Sequence, residues 1–286
     1  MTPTPDSADI FDRTLRARRR DRMMAGFADH DFLYRAMLDE LIDRLADVQR
    51  DLAEVLVIGC PDGSARAALE AMGKRVACVD SGFRAARAAG GVQGEEDALP
   101  FADDSFDLVI ACGTLDSVND LPGALILIRR VLRPDGLMLA AFTGAGTLPR
   151  LRAALMAGEG DRMGQHIHPQ VDVRSAGDLL SRAGFAMPVA DSETLHIRYG
   201  DILRLMHDLR GMGAGNVLAS RPPMLGRTAL MDAAAHFAQA ADPDGRTAEQ
   251  MVILYLSGWK PDPTQAKPAR RGSATVSLAA ALNAKG

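Results

Sequence analysis

The sequence predicts an α/β protein built on a doubly wound, mostly parallel sheet, and three observations carry that reading. From residue 54 onward, short apolar runs alternate with helix-patterned segments, a βαβα rhythm that right-handed crossovers fold into a parallel sheet. The runs are continuous rather than alternating, as strands buried on both faces require. The chain of 286 residues is 47% hydrophobic, enough for a large core and too apolar for wholesale disorder.

Residues 1–48 read as an N-terminal helical arm. Its first ten residues are rich in Pro, Thr and Asp, and an arginine cluster follows from Phe11 to Arg22 (Arg13, Arg16, Arg18, Arg19, Arg20, Arg22). Either a solvated helix face or an anion-binding arm fits that cluster, and the abundance of arginine along the chain favours the solvated face. Residues 32–48 place Phe32, Leu33, Met37, Leu38, Leu41, Ile42 and Leu45 at helical spacing.

The main domain, residues 49–260, opens with a strand over Glu54–Ile58 stopped by Gly59. A helix over 64–72 follows, with Ser64 as its N-cap, then a strand from Arg75 ending in Asp80, and a short helix about Phe83–Ala89. Phe106–Cys112 is a buried strand, 121–132 a helix, Arg133-Pro134-Asp135-Gly136 a turn and Leu137–Phe142 a strand. Beyond it the pattern predicts a helix over Arg174–Ala183, a strand over Thr194–Tyr199, and a helical insertion at about 200–247 made of helices over Asp201–Arg210 and 224–240. Met251–Leu256 is a last strand leading to Trp259, and residues 261–286 form a basic tail expected to dock on the domain or on a partner.

Composition excludes several functions. A net charge of −4 gives no global positive field for nucleic acid, and nine Phe, three Tyr and one Trp are too few for a base-stacking platform. No apolar run approaches the ~18 residues of a membrane span, and Asp6 and Asp9 stand where a signal peptide needs apolar residues. Cys60, Cys78 and Cys112 are widely spaced, giving neither a zinc pattern nor a disulfide framework, so a reducing cytoplasm is expected. His166 and His168 with Asp172 lack a metal-ligand pattern, and His196, His207 and His236 are scattered, so no metal is expected. The Met residues of 201–231 read as core filler and Trp259 as packing.

The candidate chemistry sits at strand ends. Gly59-Cys60-Pro61-Asp62-Gly63 precedes a helix N-terminus, where glycines admit a ligand to backbone N–H groups. Asp80 closes the second strand, the place where a carboxylate accepts both hydroxyls of an adenosine ribose. Glu95, Glu96 and Asp97 follow the third strand position, within reach of an adenine edge, and Gly113 follows the fourth strand. Together these residues imply an adenosine-bearing ligand. Cys60, at a helix start where a thiol pKa falls, reads as a small filler beside it.

Gly94-Glu95-Glu96-Asp97-Ala98-Leu99-Pro100-Phe101, with Ser105-Phe106-Asp107-Leu108-Val109 and Leu132-Arg133-Pro134-Asp135-Gly136, resembles class I S-adenosylmethionine-dependent methyltransferases. Val118-Asn119-Asp120-Leu121-Pro122, His168-Pro169, Arg182-Ala183-Gly184-Phe185, Asp208-Leu209-Arg210-Gly211-Met212-Gly213 and Arg271-Gly272-Ser273-Ala274 narrow this further. They resemble the methyltransferase-like assembly factor 5 family of respiratory complex I, related to the malonyl-acyl-carrier methyltransferase of biotin synthesis. The resemblance implies a Rossmann-like sheet of seven strands with an antiparallel last hairpin. It also implies S-adenosylmethionine as cofactor and a complex I subunit as protein partner, the family activity being arginine hydroxylation.

Departures from the pattern cluster at the chemistry. Val57 stands where such enzymes carry an acid, Pro61 replaces the second loop glycine, and Leu115-Asp116-Ser117 lacks the family's His–Trp pair. The expectation is therefore a methyltransferase-type enzyme acting on a protein side chain with weakened cofactor binding. In it Asp80 binds the ribose, Glu95 and Glu96 flank the adenine, Gly59, Cys60, Asp62, Gly63 and Gly113 complete the cofactor site, and Asp116 is the catalytic candidate. The alternative is a non-catalytic assembly protein with a degenerate loop. A nicotinamide enzyme is disfavoured because no Gly-x-Gly-x-x-Gly occurs at residues 59–64.

Overall fold

The computed structural model describes residues 9–160, 165–262 and 264. Its strands are β1 (Glu54–Ile58), β2 (Arg75–Asp80), β3 (Val92–Gln93), β4 (Phe106–Cys112), β5 (Leu132–Thr143), β6 (Ala186–Tyr199) and β7 (Thr247–Trp259). They form one sheet in the order β3-β2-β1-β4-β5-β7-β6. β1 lies parallel to β2 and β4, with Val57 opposite Cys78 on one side and Ile110 on the other. β7 runs antiparallel to both β5 and β6. This is the expected doubly wound, mostly parallel seven-stranded sheet. The chain leaves β1 toward β2 and returns to β4 on the far side, which opens a crevice at the carboxyl ends of β1 and β4.

Strand alternation builds two cores, one on each face of the sheet. Val55 and Val57 of β1 and Leu108 and Ile110 of β4 pack on one side with Leu41 and Leu45 of the helix Phe32–Ala46 (α2). Leu56, Ile58, Val109 and Ala111 pack on the other with the helices Leu121–Val131 (α5) and Val173–Arg182 (α7). Each fully buried Leu or Ile contributes roughly 1.5–3 kcal/mol.

The first helix, α1 (Arg13–Met23), starts where Asp12 accepts from the Leu15 N–H. It is fastened at its start, because the Phe11 N–H donates to Asn119 Oδ1 at 2.8 Å and Asn119 Nδ2 donates back to the Phe11 carbonyl at 3.1 Å. Between the strands lie α3 (Ser64–Ala71) and α4 (Phe83–Ala88), then α6 (Pro149–Glu159), α8 (Ile202–Gly211) and α9 (Arg227–Gln239).

Several expectations need correction. Ser64 is the first helical residue of α3 and not its cap; that place belongs to Gly63 at φ +76°. Arg133–Gly136 is absorbed into β5, with Asp135 at φ 60° and backbone bonds from Asp135 to Lys260 and from Lys260 to Gly136. β6 and β7 are far longer than expected because they pair with each other along their lengths. α6 has no counterpart in the sequence reading; it packs on α9, and a Cβ at Gly158 would lie 2.3 Å from the Ala229 carbonyl. Met224 and Met231 are 96% and 63% exposed and fill no core. The basic tail lies outside the described residues, apart from its first positions. Among the described residues no helix is long and apolar enough to cross a membrane.

Candidate functional site

The loop after β1 is set by close packing against β4. Gly59 has φ +79°, and a Cβ there would lie 2.3 Å from Thr114 Cγ2 and 2.4 Å from the Cys112 carbonyl, so only glycine fits. Its N–H donates to the Val79 carbonyl at 3.0 Å, and its own carbonyl accepts from the buried Tyr34 hydroxyl at 3.1 Å. Pro61 supplies no N–H. The Ser64 N–H and hydroxyl both donate to Asp62 Oδ1, at 3.0 and 2.6 Å, while Arg35 donates to Asp62 Oδ2 at 3.2 Å. The loop therefore spends these donors within the protein.

Two loop residues stand apart from their expected place. Asp62 is exposed and held by Ser64 and Arg35 at the surface. Cys60 is fully buried and shares a hydrogen bond with Cys78, the first cause of its lowered pKa, with the Arg66 and Gly63 N–H groups adding to it. The thiols that are distant in sequence thus meet in the core, and Cys78 is pushed up by the same bond and by burial.

The carboxylates at the strand ends are held by α1. Arg20 grips Asp80 through Nε to Oδ1 at 2.6 Å and Nη2 to Oδ2 at 2.5 Å, and Oδ1 accepts further from the Gly82 N–H at 2.8 Å. The Asp80 side chain is 0% exposed. Arg16 grips Glu96 at 2.8 and 2.7 Å and also donates to Glu95 at 3.0 Å, to the Thr114 carbonyl at 3.1 Å and to Ser117 Oγ at 3.1 Å. Arg13 takes Asp97 at 2.5 and 2.8 Å.

Charge and burial compete here. Burial alone lowers the Arg16 and Arg20 pKa values, yet Glu96 and Asp80 raise both above the ordinary guanidinium range. Burial pushes the Glu95 carboxyl up against the pull of Arg16. At Asp97 burial also pushes upward, but the Arg13 hydrogen bond and charge win and hold it below the usual range. Three members of the arginine cluster are therefore no solvated face, while Arg18 and Arg22 are exposed. Arg13, Arg16 and Arg20 share one side of α1 and close over the acids.

Beyond these pairs lies a cavity of about 120 Å³ bordered by Arg16, Arg20, Gly113, Asp116, Thr143 and His168. A smaller space of about 60 Å³ shares Arg20, Gly113, Asp116 and Thr143 and reaches Tyr34 and Pro61. The Thr143 hydroxyl donates to Asp116. His168 Nε2 accepts from the Val217 N–H at 2.9 Å, which places the proton of the neutral ring on Nδ1, and burial with the charges of Arg19 and Arg16 holds its pKa below 6.5. Thr114 Oγ1 and Ser81 Oγ are buried without a hydrogen-bond partner among the described residues. Among those residues no cluster of three or more His, Cys, Asp or Glu side chains could hold a metal; His166 is paired to Glu159 at 2.6 Å.

An adenosine ribose needs two acceptor oxygens, and Arg20 holds both oxygens of Asp80. The two cavities beside these pairs, of about 120 and 60 Å³, fall below the ~300–1,000 Å³ of a small-molecule site. S-adenosylmethionine does not fit this closed arrangement. Gly59, Asp80, Glu95, Glu96, Gly113 and Asp116 do lie together at the carboxyl ends of β1, β2 and β4. The sequence favours a solvated face over an anion-binding arm for Arg16 and Arg20, gives His168 only as a rejected metal ligand and within a motif, and does not single out Tyr34, yet all four border the site. The spacing of Arg13, Arg16 and Arg20 on one helix side is a signal that favours the anion-binding arm.

A methyltransferase-domain family model matches residues 56–140. The protein named arginine-hydroxylase NDUFAF5, mitochondrial, from Danio rerio is 35% identical over 95% of this chain and 89% of its own length. Its Homo sapiens namesake is 34% identical over 96% and 84%. The malonyl-[acyl-carrier protein] O-methyltransferase of Halorhodospira halophila is 32% identical over 89% and 90%. Among solved structures, the YcgJ protein of Bacillus subtilis matches with a TM-score of 0.56 at 18% identity, covering 79% of this chain and 99% of that one. Haemonchus contortus phosphoethanolamine N-methyltransferase 2 matches at 0.54 and 13%, covering 86% and 61%. These two likenesses establish the fold alone. The expected cytoplasmic placement is overturned, because the NDUFAF5 relatives are named as mitochondrial proteins.

Proposed function

The chain belongs to the NDUFAF5 family, on the class I methyltransferase fold, and from that premise we propose that it serves respiratory complex I assembly through a protein partner, with its cofactor acids kept closed by α1. The observation that carries this reading is the pair of buried forks, Arg20 on Asp80 and Arg16 on Glu96. They occupy the carboxylates that an adenosine would use. Breaking one buried, hydrogen-bonded pair costs about 3–5 kcal/mol, which weakens a competing ligand by roughly two to three and a half decades.

A second reading, side-chain modification of the arginine-hydroxylase kind carried by the relatives' name, is favoured by the cavity itself. Asp116 paired to Thr143, and a neutral His168, border it beside the closed acids. The two readings separate in cells whose own copy has been removed. The chain carrying Arg20→Met with Asp80→Leu keeps the space filled but deletes the ribose acid. Restoration of complex I equal to that of the native chain supports the assembly reading. Restoration by the native chain alone favours the modifying enzyme.

A further inference from the structure

We propose that Arg19, Arg22 and Arg210 form a docking site for an acidic segment of the partner protein, beside the cavity that holds Asp116. The proposal rests on the protein-partner reading above. The three arginines line a hollow of about 330 Å³ between α1 and α8, and Leu209, Gly213 and Asn216 belong both to it and to the Asp116 cavity. Arg19 is laid against the backbone here: a Cβ at Gly215 would lie 2.2 Å from its Nη1.

The two sides of α1 differ in how their charges are met. Arg13, Arg16 and Arg20 each hold a carboxylate. Arg19, Arg22 and Arg210 have no ion pair among the described residues. Arg19 is instead lowered in pKa by burial and by the positive charges of Arg221 and Arg22. Arg221, whose charge reaches Arg19, is ion-paired to Asp12 at 3.3 Å. Half-burying the Arg19 guanidinium among its own kind opposes folding, and among the described residues no acid is placed against it. A partner's carboxylates would supply the counter-charge that no described residue of this chain places here. Carboxylates are the groups that the opposite side of the same helix already holds, and guanidinium forks take them bidentately. An acidic segment seated there lies next to the cavity and presents a neighbouring side chain toward Asp116.

The test uses the full chain at low ionic strength with a fluorescent hexaglutamate peptide, hexaglutamine as control, and inorganic phosphate as a rival ligand. Hexaglutamate should bind the native chain, hexaglutamine should not, and Arg19→Gln with Arg210→Gln should weaken binding at least tenfold. Arg174→Gln on the distant α7 should leave it unchanged. The melting temperature of the Arg19→Gln, Arg210→Gln chain should stay or rise, because repulsion is removed; a loss of binding that comes with a lower melting temperature contradicts the proposal. Equal hexaglutamate binding by native and double-substituted chains overturns it, as does tighter binding of phosphate than of hexaglutamate. The readout is peptide binding alone, so failure here leaves the complex I result to stand or fall separately.

Discussion

Asp80 shows what a single pairing does to a residue's availability. Its carboxylate is fully buried and satisfied by Arg20 and Gly82, so Arg20→Ala strands a charge and should destabilise the chain by about 3–5 kcal/mol in urea unfolding. Removing Asp80 as well should return much of that loss, since no charge is left unpaired; a double variant no better than the single would refute the pairing as the cause. His168 gives a pH signature. Burial first, then the charges of Arg19 and Arg16, depress its folded pKa below 6.5, so the unfolded chain takes up the proton first. Its contribution is present above pH 6.5 and is lost as pH falls through the folded value. Stability should fall as the pH drops below 6.5, and His168→Gln should flatten that slope. Asp80 was legible as a strand-end acid, but its partner was not, because the pairing spans sixty positions and no local pattern encodes it.

Helix α1 behaves as a clamp whose grip depends on fork geometry as well as charge. Lysine keeps the charge but loses the planar, bidentate match to carboxylate. Arg16→Lys with Arg20→Lys should therefore speed amide exchange across α1 while leaving β1 and β4 as protected as before. Unchanged α1 protection would mean that Phe11 and Asn119 hold the helix without the forks. The buried strands were legible element by element, since runs such as Val55–Ile58 admit little else. β3 is two residues long, and β6 is an exposed edge strand with a bulge between Ala186 and Val189. Neither carries the apolar run that marks the central strands. α1 was legible as a helix and misread as solvated, because arginine looks the same in a sequence whether it faces water or an acid.

Across the whole molecule, the sheet sets the crevice and the N-terminal helix fills it. The fold was readable from alternation and turn chemistry, and the family from motifs spread along nearly the full length. The state of the crevice was not readable, because it depends on where α1, which ends at Met23 well before β1 begins at Glu54, comes to rest. Calorimetric titration of S-adenosylmethionine into the native chain and into an Arg16→Ala, Arg20→Ala chain tests that placement most directly. The native chain should bind weakly and the chain without the forks at least a hundredfold more tightly, with Asp80→Ala abolishing the gain. Tight binding by the native chain, or equal affinity in both, would contradict the closure of the cofactor acids by α1.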